Sequence, residues 1–317
     1  MHRTATAVIR FVLNTASRVA PRPAGALAFA LFLRAGARAR PRPAEAPLMR
    51  TARTEVLDLD GIPVRVHRWG NGERPVLLLH GWRSRASRWH ALAEALLAAG
   101  YSPVAFDAPG HGDSGGRGST ILDYRDLVRR LRAAAGRPFE ALIGHSFGGL
   151  AAFAAVRDPG TAGRLVTISG ISQFGFLTEA FRAQLGLRPR LEAELRRRVE
   201  RFVAARGETG NIWSRFSASY RTGEITVPIL VIHDRDDTMV PVGQARRVMA
   251  GYAGQADQLL TRGLGHSRIL ADPVVTGAVV DFLTSTDAAP AGGRPGTARP
   301  AGTPGGTDGI SAGERVG

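Results

Sequence analysis

Two residue types are missing from this chain of 317 residues. It contains no cysteine, which excludes disulfide bonds, zinc sites built from thiolates and cysteine nucleophiles. It also contains no lysine, so all 42 of its Lys-or-Arg residues are arginines. The absence of lysine excludes phosphate-binding lysines, Schiff-base catalysis and Ser-Lys dyads. The remaining composition, with 44% hydrophobic residues, is that of a globular protein able to bury a large core.

The formal net charge of +15 is unevenly distributed along the chain. Residues 1 to 50 carry nine arginines against Glu45 alone, which gives +8. Residues 51 to 284 carry thirty arginines against 23 acidic residues, which gives +7, and the remaining tail is neutral. No basic stripe with interleaved aromatic residues accompanies this surplus, so the pattern favours drift in composition over nucleic-acid binding. We therefore expect no nucleic-acid partner.

The first fifty residues are predicted to form a basic helical extension followed by a linker. Apolar residues recur at helical spacing between Ala5 and Ala16, and arginines lie off that stripe. The apolar run at residues 24 to 33 is too short to span a bilayer, and residues 38 to 47 are predicted to be the linker. Packing against the body, a membrane-surface helix and a signal peptide remain open interpretations. We expect a cytoplasmic protein, with peripheral membrane contact through this helix as the alternative.

Residues 51 to 284 show a regular alternation of strand and helix patterns. Continuous apolar strands, such as residues 75 to 81, are separated by helical segments of 10 to 15 residues. This pattern indicates a parallel sheet covered on both faces. The dipeptide Asp60-Gly61 between two alternating runs predicts an antiparallel hairpin at the N-terminal side of the sheet. The predicted fold class is α/β, with a mostly parallel, doubly wound sheet.

Two segments depart from this alternation. Residues 171 to 222 are rich in aromatic residues and arginine and lack strand signals. A helical insertion at this point of the chain is predicted to be a lid over one end of the sheet. Residues 285 to 317 are rich in glycine and proline and of low complexity, which predicts a disordered tail.

One serine lies among three glycines in the sequence ALIGHSFGGLAAFAAV, residues 141 to 156. An apolar strand pattern precedes Gly144-His145-Ser146-Phe147-Gly148 and an alanine-rich helix pattern follows it. This context favours a nucleophile elbow, a tight turn that exposes Ser146 Oγ at the C-terminal edge of the sheet. The free N–H groups at the start of the helix would stabilise a developing oxyanion. A plain tight turn is the structural alternative.

A serine needs a base to remove its proton and an acid to orient that base. Of the eight histidines, His266 fits best, because it follows the last predicted strand in a glycine-rich loop before the last helix. The acid is expected at the end of a strand between Ser146 and His266. Asp234, Asp236 and Asp237 cluster there, and the residues alone leave open which of the three acts.

At this point the chain resembles the α/β-hydrolase superfamily over roughly residues 55 to 284. The resemblance implies an α/β-hydrolase fold with Ser146 as nucleophile, His266 as base and Asp237 as acid. It further implies an oxyanion hole formed by the backbone N–H groups of Trp82 and Phe147. The residues that carry the resemblance are HGW at 80 to 82, DAPGHGDS at 107 to 114, GHSFGG at 144 to 149, HDRDDTMVP at 233 to 241 and GLGH at 263 to 266.

Three aromatic residues bear on the expected substrate pocket. The side chain of Trp82 is expected to line an acyl pocket, while its amide serves the oxyanion hole. Trp213 and Phe216 in the predicted lid either face that pocket or only anchor the lid helices to the body.

The function indicated is a metal-free serine hydrolase that cleaves an ester, thioester or amide through an acyl-enzyme. The expected partner is a small-molecule or lipidic acyl substrate, and no cofactor or metal is expected. Carbon-carbon bond hydrolysis or acyl transfer by the same triad, and a hydrolase-fold protein that binds a ligand or membrane without turnover, are the alternatives. A dinucleotide site at GHGDSG, residues 110 to 115, is disfavoured because no acidic residue ends the following strand.

Overall fold

The computed structural model describes residues 3 to 285, and the predicted tail lies outside these residues except for Ser285. One sheet of eight strands runs through this part of the chain. The strands are β1 Arg53–Leu59, β2 Ile62–Arg68, β3 Pro75–Leu79, β4 Ser102–Phe106, β5 Ala141–His145, β6 Leu165–Ile168, β7 Ile229–Asp234 and β8 Ala256–Thr261.

The strand order is β1-β2-β4-β3-β5-β6-β7-β8. β1 pairs with β2 and β2 pairs with β4 in antiparallel register, whereas all the other pairs are parallel. Asp60 and Gly61 connect β1 to β2 with φ angles of 52° and 83°, the left-handed pair that a tight hairpin requires. The predicted α/β class, with a mostly parallel sheet and an N-terminal antiparallel hairpin, is confirmed.

Helices cover both faces of the sheet. Residues alternate between the two faces along each strand, and they build one core with α5, α6 and α10 and a second core with α4 and α12. None of the helices within residues 3 to 285 is long and apolar enough to cross a membrane. The helices are α1 Arg3–Val19, α2 Pro21–Leu33, α3 Ala46–Thr51, α4 His90–Ala98, α5 Ile121–Ala135, α6 Phe147–Val156, α7 Phe176–Leu185, α8 Pro189–Ala204, α9 Ile212–Arg215, α10 Gly243–Gly251, α11 Gly265–Arg268 and α12 Pro273–Thr284.

The predicted helical insertion consists of α7, α8 and α9, which lie between β6 and β7 in the chain. The N-terminal helices α1 and α2 pack against α7 and α8. A small apolar core joins them, with Leu13, Ala24 and Ala28 on one side and Leu187 and Leu191 on the other. The structure therefore shows that the extension packs against the body, and the surface it packs on is the helical insertion.

The segment expected to be a linker, residues 38 to 47, follows the body of the protein closely. Arg38 donates to the carbonyl oxygen of Gly112 at 2.9 Å. The carboxylate of Glu45 is fully buried, where it accepts from Ser87 Oγ at 2.5 Å and pairs with Arg88. α3 already begins at Ala46. The physical reason for the difference from the expectation is this buried carboxylate, which needs partners in the body of the protein.

Candidate active site

A sharp turn between β5 and α6 carries Ser146. Its φ and ψ are 54° and −119°, a region that non-glycine residues adopt only where the surrounding structure imposes it. A Cβ on Gly148 would lie 2.0 Å from the carbonyl oxygen of Leu79, and a Cβ on Gly144 would lie 2.3 Å from that of Gly148. Glycine is therefore required on both sides of the serine by the close approach of strand and helix, as a nucleophile elbow demands.

The loops after β7 and β8 bring Asp237 and His266 together. Nδ1 of His266 lies 2.7 Å from Oδ2 of Asp237, and because the carboxylate only accepts, Nδ1 carries the proton and Nε2 has the lone pair. Oδ1 of Asp237 accepts from the backbone N–H groups of Met239 and Val240, both at 2.9 Å. Burial raises the pKa of Asp237, but the hydrogen bonds from His266, Val240 and Met239 outweigh it and lower that pKa.

The two neighbouring aspartates hold the loop that carries His266. Asp234 accepts from Thr261 Oγ1 at 2.7 Å and from the amide of Leu264 at 3.1 Å. Asp236 accepts from the amide of Gly263 at 2.9 Å. Of the three candidate acids, only Asp237 contacts the imidazole among the described residues.

Ser146 and His266 line the same cavity. Within residues 3 to 285, His266 Nδ1 pairs with Asp237, and Ser146 Oγ has no hydrogen bond to His266. The backbone N–H groups of Trp82 and Phe147 also have no acceptor in this part of the chain. The side chain of Trp82 lines the cavity, as the sequence predicts. The arrangement can supply a nucleophile, a base with a free lone pair and two unpaired amide donors.

His145 contacts His266 through a hydrogen bond and through its ring, a role that sequence reasoning missed. Its Nε2–H donates to the carbonyl oxygen of His266 at 2.8 Å, and the two rings lie 4.7 Å apart between centroids. Burial and the neighbouring His266 lower the pKa of His145 to about 3. The ring is therefore neutral at physiological pH. Its adjacency to Ser146 is the only sequence signal, and it does not reveal the contact with a loop 121 residues away.

A second buried histidine, His80, holds the loop that ends at Trp82. Its Nε2 accepts from the amide of Ala108 at 3.0 Å, and its Nδ1–H donates to the carbonyl oxygen of Gly81 at 2.7 Å. Burial lowers its pKa. The neutral ring thus fixes the backbone on which the Trp82 amide lies.

The cavity above Ser146 measures about 210 Å³, and its lining is mostly apolar. Phe29 and Phe32 of α2 form part of its wall, in edge-to-face contact with Phe202 and Phe181 of the helical insertion at 5.5 and 5.4 Å between ring centroids. Among the described residues that line it, none is an arginine or a carboxylate. Such a cavity suits an uncharged, apolar group.

Trp213 and Phe216 do not line this cavity within the described chain. Both rings pack against Phe174, each at 5.3 Å between centroids. Trp213 also lies under the guanidinium of Arg196 at 3.9 Å. The structure favours the expectation that Trp213 and Phe216 anchor the lid helices over the expectation that they face the pocket. Both side chains lie one layer behind the cavity wall.

Comparison with known proteins gives a consistent picture. The alpha/beta hydrolase family model matches residues 76–279. A 2-hydroxy-6-oxononadienedioate/2-hydroxy-6-oxononatrienedioate hydrolase from Dechloromonas aromatica is 30% identical over 267 residues, covering 70% of this chain and 90% of that protein. A monoacylglycerol lipase from Mycolicibacterium smegmatis is 28% identical over 212 residues, covering 57% of this chain and 76% of that protein.

The fold is also found among solved structures. The structure of a monoacylglycerol lipase from Paleococcus ferrophilus superposes with a TM-score of 0.54 at 20% identity, covering 70% of this chain and 98% of that one. This likeness shows a shared fold. The family match includes Ser146, Asp237 and His266 and leaves out α1 and α2.

Proposed function

Because the chain belongs to the alpha/beta hydrolase family, we propose that it is a serine hydrolase that cleaves an ester, thioester or amide of an apolar acid. The observation that carries the proposal is the hydrogen bond between His266 and the buried Asp237 at the edge of a cavity that also contains the elbow serine, Ser146. Each of the three side chains lies at the C-terminal edge of the sheet, after β5, β7 and β8. The geometry supports a nucleophile, an acid and a base in that order along the chain.

The first half of the proposed reaction forms an acyl-enzyme. Nε2 of His266 accepts the proton of Ser146 as Oγ attacks the carbonyl carbon of the substrate. The backbone N–H groups of Trp82 and Phe147 donate hydrogen bonds to the oxyanion that develops. Asp237 holds the imidazole in the tautomer with the proton on Nδ1 and stabilises the imidazolium. The imidazolium then gives its proton to the leaving group, and the acyl group remains on Ser146.

The second half of the reaction returns the enzyme to its starting state. His266 removes a proton from a water molecule, which attacks the acyl-enzyme and releases the acid. Ser146 Oγ takes the proton back from the imidazolium. Transfer of the acyl group to an alcohol or amine instead of water would use the same intermediate, and analysis of the products distinguishes the two outcomes.

The cavity supports an apolar acyl group as the part of the substrate that is bound. Its aromatic and aliphatic wall contributes binding free energy in proportion to the apolar area that it removes from water. The relative from Dechloromonas aromatica is named for a dioate, which carries two carboxylates. No arginine lines this cavity in the described part of the chain, so a dianionic substrate would bury its charge unpaired. The cavity thus favours a monoester or thioester of an apolar acid over that relative's substrate.

Labelling with a fluorophosphonate probe and turnover of p-nitrophenyl esters test the proposal. The variant Ser146→Ala should lose labelling, and its kcat should fall by about 10⁶. The matched control is Ser169→Ala, because Ser169 is also a buried serine with positive φ (47°) at a strand end but does not line the cavity. The control should be labelled like the wild type. Turnover by Ser146→Ala at the wild-type rate would refute the proposal.

A further inference from the structure

The N-terminal helices carry most of the exposed large hydrophobic side chains in the described part of the chain. On α1 these side chains share one face, opposite the buried Leu13 and Ser17. Phe11 is 71% exposed and Val19 is 88% exposed. A cluster of exposed apolar side chains on one helix face is typical of an interaction site. The outer surface of α1 and α2 contains five of the eight such side chains, Val8, Phe11, Val12, Val19 and Leu27.

The same outer surface is cationic. Residues 1 to 44 contain no aspartate or glutamate, and the side chains of Arg18 and Arg22 are exposed. Arginines that flank an apolar helix face are typical of helices that lie in the interface of an anionic bilayer. A second copy of this chain would bring the same positive charge to the contact, and like charges disfavour that arrangement.

The inner side of α2 reaches the cavity above Ser146. α2 packs closely on α8, since a Cβ on Gly25 would lie 2.1 Å from Cγ of Glu194. Arg198 of α8 donates to the carbonyl oxygen of Arg22 at 2.8 Å. Phe29 and Phe32 then line the cavity. One helix therefore forms both a wall of the cavity and part of the exposed apolar surface.

We propose that the outer surface of α1 and α2 docks onto membranes that contain anionic lipids. The apolar side chains insert among the acyl chains and the arginines contact the headgroups. Docking also places the cavity beside the bilayer, so that the acyl group of the substrate enters from the lipid phase; this second part rests on the proposed function.

Co-sedimentation with vesicles tests the docking surface without reference to activity. The full-length protein should bind vesicles of phosphatidylcholine mixed with phosphatidylglycerol. The triple variant Val8→Ser/Phe11→Ser/Val12→Ser should bind at least about tenfold more weakly. The matched control is Val274→Ser, which alters a side chain that is 65% exposed on α12 and should bind like the wild type. The variant Arg18→Gln/Arg22→Gln should weaken binding about fivefold for each arginine removed.

Two results would overturn the docking surface. The first is equal vesicle binding by the wild type and the triple serine variant. The second is a dimer that disappears in that variant, measured by light scattering, in a protein that does not bind vesicles; this result would assign the face to a second copy. Fluorophosphonate labelling of the same samples separates the proposals, because a docking failure leaves Ser146 labelled whereas a failure of the proposed function does not.

Discussion

Replacing Asp237 by asparagine tests the proposed triad at a single atom. Oδ1 accepts two backbone N–H groups, from Met239 and Val240, while Oδ2 accepts Nδ1–H of His266. The two fixed donors hold the asparagine carbonyl oxygen at the position of Oδ1, so the new NH₂ group faces His266. An NH₂ group only donates, which forces Nδ1 to accept and moves the imidazole proton to Nε2. That tautomer has no lone pair for the proton of Ser146.

The expected loss in kcat for Asp237→Asn is about 10⁴, as for loss of the correct tautomer in a serine triad. At 1.36 kcal/mol for each factor of ten, this loss is about 5.4 kcal/mol of transition-state stabilisation. KM should change little, because Asp237 is not among the described residues that line the cavity. Initial rates on a p-nitrophenyl ester over a range of concentrations separate the two constants.

Asp234→Asn and Asp236→Asn are the matched controls for this experiment. Both aspartates accept hydrogen bonds from the loop that carries His266, and neither contacts the imidazole among the described residues. Their substitution should lower the free energy of unfolding while kcat stays within about tenfold of wild type. A wild-type rate for Asp237→Asn with a collapse in either control would refute the assignment of the acid.

Three further predictions concern the cavity, the buried histidine and the elbow. Phe32→Ala should lower kcat/KM on medium-chain esters about tenfold through lost contacts and leave kcat/KM on acetate esters unchanged. Trp213→Ala, behind the cavity wall, should change kcat/KM equally at all chain lengths. Rates on a panel of esters of increasing chain length test both expectations. The pKa of His145 is lowered to about 3 from 6.5, so the unfolded chain binds the extra proton and stability falls as pH drops from 6.5 towards 3, by about 1.4 kcal/mol per pH unit. In urea unfolding at several pH values, His145→Gln should reduce that slope by this amount. Gly148→Ala should destabilise the protein by about 3 kcal/mol, because its Cβ would meet a β3 carbonyl oxygen, whereas Gly277→Ala in an open position of α12 should not.

The sheet and the elbow could be predicted because their signals are local. Continuous apolar runs separated by helical periods indicate parallel strands, and the chain order then places the C-terminal ends of β5, β7 and β8 at one edge. Ser146, Asp237 and His266 each follow one of these strands. A pattern read along the chain was therefore sufficient to bring together residues that are up to 120 positions apart.

The cavity wall could not be predicted in the same way. An apolar stripe on a helix shows that a face is buried, but it does not show what covers it. The aromatic residues Trp213 and Phe216 face the interior of the helical insertion, whereas Phe29 and Phe32, from an apolar run near the N-terminus, reach the cavity. Both pairs consist of aromatic residues, so their sequences alone do not show which pair lines the cavity. The packing of α2 on α8 is what places Phe29 and Phe32 there.

Part of the cavity wall lies outside the residues that match the family, and this affects which substrate the protein prefers. Residues 76–279 match the family and contain the three side chains proposed for the chemistry. Phe29, Phe32 and Leu33 line the cavity from α2, which lies outside that match. The relatives from Dechloromonas aromatica and Mycolicibacterium smegmatis bear names with different substrates, a dioate and a monoacylglycerol, so membership of the family does not fix the acyl group. Binding energy in an apolar pocket depends on its shape and contact area. The substrate preference of this protein therefore depends on the cavity wall, and residues 76–279 form only part of that wall. Substitutions in α2 should therefore change the chain length of the ester that the protein prefers. The rate on acetate esters should stay unchanged.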